Sequence, residues 1–232
     1  MTDEIADEYK DGAYLQKNQS WHVEDSAWKA QQVAAILDKN SLHPKTVCEV
    51  GCGAGEILKQ LSVAMPDTAF FGYELSPQAF ELCKTRESEK VQYRCKDLLQ
   101  EEVQFDCLLC MDVFEHVEDY LGFLKALRSK AKYKIFHIPL DISALSILSG
   151  YIMGQRRQFG HLHYFTPETA LATLTHCGYK LLDSRYTSGF LDLPRRSLIG
   201  KCAQPLYRML HAVAPHQTVK LLGLSSYLVL AE

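Results

Sequence analysis

The sequence predicts an α/β domain with a mostly parallel sheet covered by helices on both faces. From Ser41 onward short β-rich runs alternate with helical ones, as parallel strands joined by helical crossovers require. A glycine-rich turn, Gly51 to Gly55, separates the first strand from its helix. The 232 residues, 47% hydrophobic and 23% charged, suffice for one sizeable core. No internal period, low-complexity tract or flexible linker divides the chain, so one domain with additions is expected.

The first strand is Thr46 to Val50. Ala54 to Ala64 follows as a helix with a stripe of Ile57, Leu58, Leu61 and Val63, closed by Pro66. Ala69 to Glu74 is the second strand. Ser76 and Pro77 read as N-cap and first residue of a helix running through Phe80, Leu82 and Cys83. Val91 to Lys96 and Phe105 to Val113 are the third and fourth strands. Glu118 to Ala131 carries the apolar spacing of a crossover helix, and Tyr133 to Ile138 is a strand ended by Pro139.

Between Asp141 and Gly160 the chain turns helical and apolar, and Thr166-Pro167-Glu168 opens a helix ending near Gly178. Lys180 to Tyr186 and Ser226 to Ala231 complete seven strands. The connection between them, Gly189 to Gly223, is long, holds a helix around Leu206 to Val213, and is a candidate substrate lid. Residues 1–40 form an N-terminal helical cap, leaving 41–232 as the main domain with an insertion at about 189–223. In the cap, Trp28 reads as ordinary packing, while Trp21 and His22, beside the helix start, are candidates for lining a cleft.

Composition excludes several classes. A formal charge of -3 argues against sequence-independent nucleic-acid binding. No apolar run reaches the length of a membrane span. Eight scattered cysteines and a polar start without a secretory signal read as reduced thiols in the cytoplasm. Cys107 and Cys110, three apart on a strand, point to opposite faces and read as core rather than a redox or zinc pair.

The turn Glu49-Val50-Gly51-Cys52-Gly53-Ala54-Gly55-Glu56 lies between strand and helix, where small residues let a ligand approach the backbone and helix-terminal N–H groups. A dinucleotide fingerprint needs a glycine where Glu56 stands, which disfavours NAD. Glu49 followed by Gly51, Gly53 and Gly55 instead resembles motif I of the class I S-adenosylmethionine-dependent methyltransferases. Further segments agree in order: Phe70 to Ser76 with Glu74 at the strand end, Cys95-Lys96-Asp97-Leu98, Phe105 to Val117, and Gly160 to Glu168. The resemblance spans Thr46 to about Tyr186 plus the final strand. It implies a Rossmann-like, doubly wound, seven-stranded sheet with an antiparallel last strand, and S-adenosyl-L-methionine as cofactor. It assigns Glu74 to the ribose hydroxyls and Asp97 and the Leu98 backbone to adenine. Glu49, Gly51, Gly53, Gly55, Leu75 and Asp112 join the cofactor-binding set.

A sulfonium methyl is already activated, so such a protein mainly holds an acceptor in line with it, and a hydroxyl acceptor also needs a base. The candidates are His22, His116, His137, His161 and His163. His161 and His163 share a face if their segment is extended, and they fall where strand-end loops meet the cofactor mouth, so this pair is assigned the base or orienting role. His116 reads as a turn residue and His137 as buried structure. Asp112-x-x-Glu115-His116 is similar to an element with which ubiquinone-pathway O-methyltransferases and small-RNA methyltransferases bind a divalent metal. Metal-free relatives carry it too, and no metal is assigned. Arg156-Arg157 and Arg195-Arg196 flank the substrate region; their guanidinium forks suit a carboxylate or phosphate, and solvated surface arginines are the more frequent outcome.

The expected function is methyl transfer to a small or medium-sized acceptor, with oxygen as the methylated atom. The apolar stretch Leu145 to Met153 and the late insertion are expected to wall the acceptor site. The alternatives are a catalytically silent cofactor-binding or regulatory module, RNA or protein methylation, and an NAD-linked oxidoreductase. Oligomeric state is left open.

Overall fold

In the computed structural model, which describes residues 23–194 and 197–232, seven strands form one sheet in the order β3-β2-β1-β4-β5-β7-β6. The strands are β1 (Thr46–Val50), β2 (Ala69–Tyr73), β3 (Val91–Arg94), β4 (Phe105–Met111), β5 (Ala131–Pro139), β6 (Leu181–Thr187) and β7 (Ser226–Ala231). β1 to β5 are parallel, and β7 runs antiparallel between β5 and β6. Trp21, His22, Arg195 and Arg196 lie outside the described residues.

Period-two alternation sorts the strands onto two cores. Cys48, Val50, Leu108, Cys110 and Phe136 pack on one face, and Val47, Cys107, Leu109 and Ile135 on the other. Cys107 and Cys110 therefore separate as expected, and all eight cysteines are free. The second face is covered by α1 (Val23–Lys39), through Ala30, Val33, Ile36 and Leu37, and by α2 (Glu56–Ala64). α1 is also tied to the far sheet edge. Arg185 donates to the Gln32 carbonyl at 2.5 Å, and Lys39 and Asn40 each donate to the Asp183 carboxylate at 2.9 Å.

The remaining helices are α3 (Pro77–Lys84), α4 (Tyr120–Leu127), α5 (Ala144–Ser149), α6 (Tyr151–Phe159), α7 (Pro167–His176), α8 (Gly189–Asp192), α9 (Leu198–Val213) and α10 (Pro215–Leu222). The Ser76 hydroxyl caps α3 and Thr166 caps α7, each ahead of a proline at the helix start. The crossover helix expected to reach Ala131 ends earlier. A single 3-10 turn, Arg128–Lys130, follows it, and Ala131 and Lys132 join β5. The helical stretch after Asp141 is broken at Gly150, whose φ of 71° ends α5 and begins α6. Among the described residues no helix is long and apolar enough to cross a membrane.

Candidate active site

β1 pairs with β2 on one side and β4 on the other, so the strand order reverses at the C-terminal end of β1, where open α/β sheets bind ligands. A cavity of about 750 Å³ opens there. Its walls include Glu49, Gly51, Gly53, Glu74, Leu75, Asp97, Leu98 and Asp112, all expected from the sequence, together with Lys29, His116, His137, Asp141, Tyr151 and His161.

The glycine turn is built for backbone approach. Gly51 has φ 64°, and a Cβ there would touch Val113 at 3.0 Å. Gly55 differs from the expectation: it does not line the cavity. A Cβ on it would fall 2.5 Å from the Tyr93 ring, and the Tyr93 hydroxyl donates to its carbonyl at 2.5 Å. This glycine is required beneath the turn, where the Tyr93 ring leaves no room for a Cβ.

Glu74 is buried at the end of β2 and accepts hydrogen bonds from Gly53 N and Ser76 N, both at 2.8 Å. Burial raises its carboxyl, and these backbone donors partly offset the rise. Each oxygen retains a lone pair for a ligand hydroxyl. The Asp97 side chain accepts from Leu99 N at 2.9 Å, starting a 3-10 turn over Leu98–Gln100.

Glu49 is fully buried, and its Oε2 has no hydrogen-bond partner. Burial pushes its carboxyl well up, against the pull of Lys29. Lys29, from α1, reaches Asp112 Oδ2 at 2.8 Å and Asp25 Oδ2 at 3.1 Å. Asp112 Oδ1 lies 2.6 Å from His137 Nδ1, whose Nε2 meets Thr187 Oγ1 at 2.9 Å. Although burial opposes its charge, His137 and Lys29 hold Asp112 well below the usual carboxylate range. His137 is thus buried, as its strand position suggested, and also faces the cavity. Trp28, expected to be packing only, lines it too and donates to Asp192 at 3.0 Å.

On the acceptor side the two expected histidines part company. His161 is buried, lines the cavity, and holds Asp141 Oδ2 with Nδ1 at 2.6 Å. His163 does not line it. Its Nε2 donates to the carbonyls of Val117 and Glu118 at 2.9 and 3.2 Å, and its ring lies 4.3 Å from that of Tyr120. The segment is pinned by Leu162 N and His163 N, which both donate to the Glu115 carbonyl, and this turns the two rings onto different neighbours.

His116, read from sequence as a turn residue, does sit in a 3-10 turn but packs its ring 4.9 Å from His161. Glu115, His116 and His161 bring one potential ligand atom each within 4.8 Å of one another. Both Glu115 carboxylate oxygens are buried without a hydrogen-bond partner, and burial pushes the group well up. Asp112, grouped with Glu115 and His116 by sequence spacing, is instead occupied by His137 and Lys29.

The wall beyond is mixed. Leu145, Tyr151, Phe159, Phe190 and Leu224 line it, while Ile147, Leu148 and Met153 face solvent. Arg156 and Arg157 are exposed and do not line it.

A sheet of this order, with its pocket at the reversal point and an acidic residue closing each of β1 and β2, is the architecture of the class I S-adenosylmethionine-dependent methyltransferases. The methyltransferase-domain family matches residues 21–184, and the chain belongs to that family. Among curated relatives, the ubiquinone biosynthesis O-methyltransferase of Bordetella parapertussis is 31% identical over 99 residues, 40% of each chain. That of Xanthomonas axonopodis pv. citri is 29% identical over 167 residues, 65% of this chain and 68% of the relative. The match thus spans two fifths of the length of the first relative and about two thirds of the second. Similar solved folds include magnesium protoporphyrin IX methyltransferase from Synechocystis PCC 6803 with bound S-adenosylhomocysteine. Its TM-score is 0.61 at 18% identity, covering 88% of this chain and 82% of that one. The N-methyltransferase NodS from Bradyrhizobium japonicum WM9 has a TM-score of 0.55 at 15% identity, covering 88% and 84%.

Proposed function

We propose that this methyltransferase transfers a methyl group from S-adenosylmethionine to a hydroxyl of a small acceptor, with His161 as general base and Asp141 as its orienting partner. The observation that carries this reading is the continuity of one cavity from Glu49, Glu74 and Asp97 to His161. The residues fit the cofactor. Glu49 Oε2 is a buried acceptor without a partner, and it lies with Asp25 and Asp112 about Lys29, a carboxyl-rich wall suited to a cationic ligand. Glu74 would take the ribose hydroxyls, Asp97 and the Leu98 backbone the adenine, and Gly51 and Gly53 would let the ligand lie against the turn, with Leu75 and Asp112 completing the lining.

S-adenosylmethionine supplies an activated methyl on a sulfonium, so the protein's task is alignment and proton removal. Asp141 holds Nδ1 of His161, which leaves Nε2 as the ring nitrogen able to accept the acceptor's hydroxyl proton. Nε2 would take the acceptor's hydroxyl proton, while Glu49, Glu74 and Asp97 would hold the cofactor whose sulfonium supplies the methyl group. The ubiquinone biosynthesis O-methyltransferase relatives support oxygen as the methylated atom.

A specific observation favours a second reading of the same residues. Buried, unpartnered Glu115 oxygens beside His116 and His161 form a carboxylate and imidazole set that fits a divalent cation such as Zn or Mg. These three residues would hold it, and such an ion would acidify a hydroxyl brought to it. His161 would then be a ligand rather than the base.

Calorimetric titration with S-adenosylhomocysteine, with and without chelator and with NAD as control, tests the cofactor site. Chelator-insensitive binding followed by turnover on a panel of phenols supports the base reading, and activity lost to chelator and restored by metal supports the second. Binding without turnover on any acceptor points to a silent module. No binding overturns the proposal.

A further inference from the structure

Two helices beside the cavity mouth are inside out. α5, Ala144–Ser149, buries Ser146 and exposes Leu145, Ile147 and Leu148, the last 86% accessible. In α9, Leu198–Val213, the exposed side carries Leu198, Leu206, Met209 and, 82% accessible, Val213, while Tyr207 on the inward side hydrogen-bonds Gly223 and Ser225. Leu206, Met209 and Val213 recur at helical spacing, so they form a stripe rather than scattered exposures. α10 packs against both α5 and α9, which makes these helices one layer. A surface helix ordinarily turns its polar face to water, and an apolar stripe turned outward marks an interaction surface.

Charge identifies the occupant. The whole chain is formally -3, yet neither 142–167 nor 193–225 contains an Asp or Glu, and the two stretches together carry seven Lys and Arg. Of these, Arg156, Arg157, Lys201 and Arg208 are exposed on α6 and α9, whereas Lys220 is neutralised by Glu168 at 2.7 Å. Outward apolar side chains flanked by basic residues, on four helices that carry no acidic residue of their own, complement an anionic lipid surface. A protein partner or RNA would satisfy the charges but would not require the outward leucines to be continuous with the cavity. Leu145 and Leu224 belong to both, being exposed and lining the mouth.

We propose that the layer formed by α5, α6, α9 and α10 docks on an anionic bilayer and sets the cavity mouth against it. The association is peripheral, with apolar side chains entering the headgroup region and the basic residues pairing with lipid phosphates. An acceptor with an apolar tail then reaches the site from the membrane side, a consequence that rests on the methyl-transfer reading, whereas the docking itself does not.

The test is co-sedimentation of the full chain with vesicles of phosphatidylcholine alone or mixed equally with phosphatidylglycerol, without acceptor. Binding is expected to the mixed vesicles only and to weaken as salt rises. Leu148→Glu and Val213→Glu are each expected to weaken it by about tenfold, and Arg156→Glu with Arg157→Glu to abolish the preference for anionic lipid. None of these residues lines the cavity, so the melting shift given by S-adenosylhomocysteine should stay as in the wild type and report an intact fold. Three outcomes overturn the proposal: no binding by the wild type, equal binding by the leucine and valine variants, or a dimer or RNA complex that these variants disrupt while vesicles go unbound.

Discussion

Nδ1 of His161 lies 2.6 Å from Oδ2 of Asp141, joining two buried residues from opposite ends of the α5–α6 excursion at the cavity wall. The excursion between them therefore positions the ring as well as walling the pocket. His161→Ala is expected to lower turnover by about 10²- to 10⁴-fold, with S-adenosylhomocysteine affinity unchanged. Asp141→Asn should lower kcat and displace its pH profile. His163→Ala should leave turnover intact and cost about 1 kcal/mol of stability, the worth of its bonds to Val117 and Glu118. Initial rates and denaturant titration check these, and an equal loss of turnover in the His163 variant would defeat the assignment.

Glu74→Gln keeps the shape of the second strand end but removes its charge. Cofactor affinity should fall about tenfold, the scale of a charge-assisted hydrogen bond. Calorimetry with S-adenosylhomocysteine reads the change.

Gly55→Ala should act differently, through stability. Its Cβ would overlap the Tyr93 ring at 2.5 Å from a backbone with φ 78°, so a loss of about 1–3 kcal/mol is expected, measured by denaturant unfolding.

Glu115→Gln is expected to stabilise the protein. A carboxyl raised by burial keeps its proton when folded and releases it near pH 4 when unfolded, so wild-type stability falls as pH climbs from the unfolded pKa of about 4.3 towards the folded one. Glutamine removes that cost, and its advantage should be larger at pH 8 than at pH 4. If Glu115 holds a cation, added Zn or Mg will instead raise the melting temperature of the wild type and leave the variant unmoved.

Asp112 should show the opposite sign. Its carboxyl is held low by His137 and Lys29, so its contribution is present at neutral pH and lost as pH falls below the unfolded value of about 3.9. Asp112→Asn should cost about 1–3 kcal/mol at pH 7, with the gap to wild type closing in acid. Asp112→Ala should cost about 1 kcal/mol more, because the backbone there has φ 54°, which asparagine tolerates and alanine does not. Thermal and chemical denaturation across pH 3 to 8 test both.

The sheet was legible because strand and turn signals are local. Val47, Cys48, Leu108 and Leu109 announce strands by composition, and Ser76 and Thr166 announce helix starts by a hydroxyl before proline. The cofactor wall was legible where motif spacing carries it, as at Glu49, Glu74 and Asp97. Gly55 shows the limit: its spacing matches its neighbours, but its reason is the ring of Tyr93, 38 residues away. Lys29, His137 and Asp141 were not legible as pocket residues, because each is defined by a partner distant in sequence. His161 and His163 were indistinguishable by pattern, and the Glu115 carbonyl that turns them apart leaves no trace in spacing.

The bonds from Arg185 to Gln32 and from Asp183 to Lys39 and Asn40 bear on how the pocket comes into being. Lys29 is delivered by a helix that packs on α2 and the second core, and that is tied further to an edge strand synthesised some 150 residues later. A nascent chain can therefore seat this helix on α2 and form the glycine turn before the bonds that tie the helix to the sheet edge exist. A fragment cut at residue 40 would lose a side of its binding site along with its first helix.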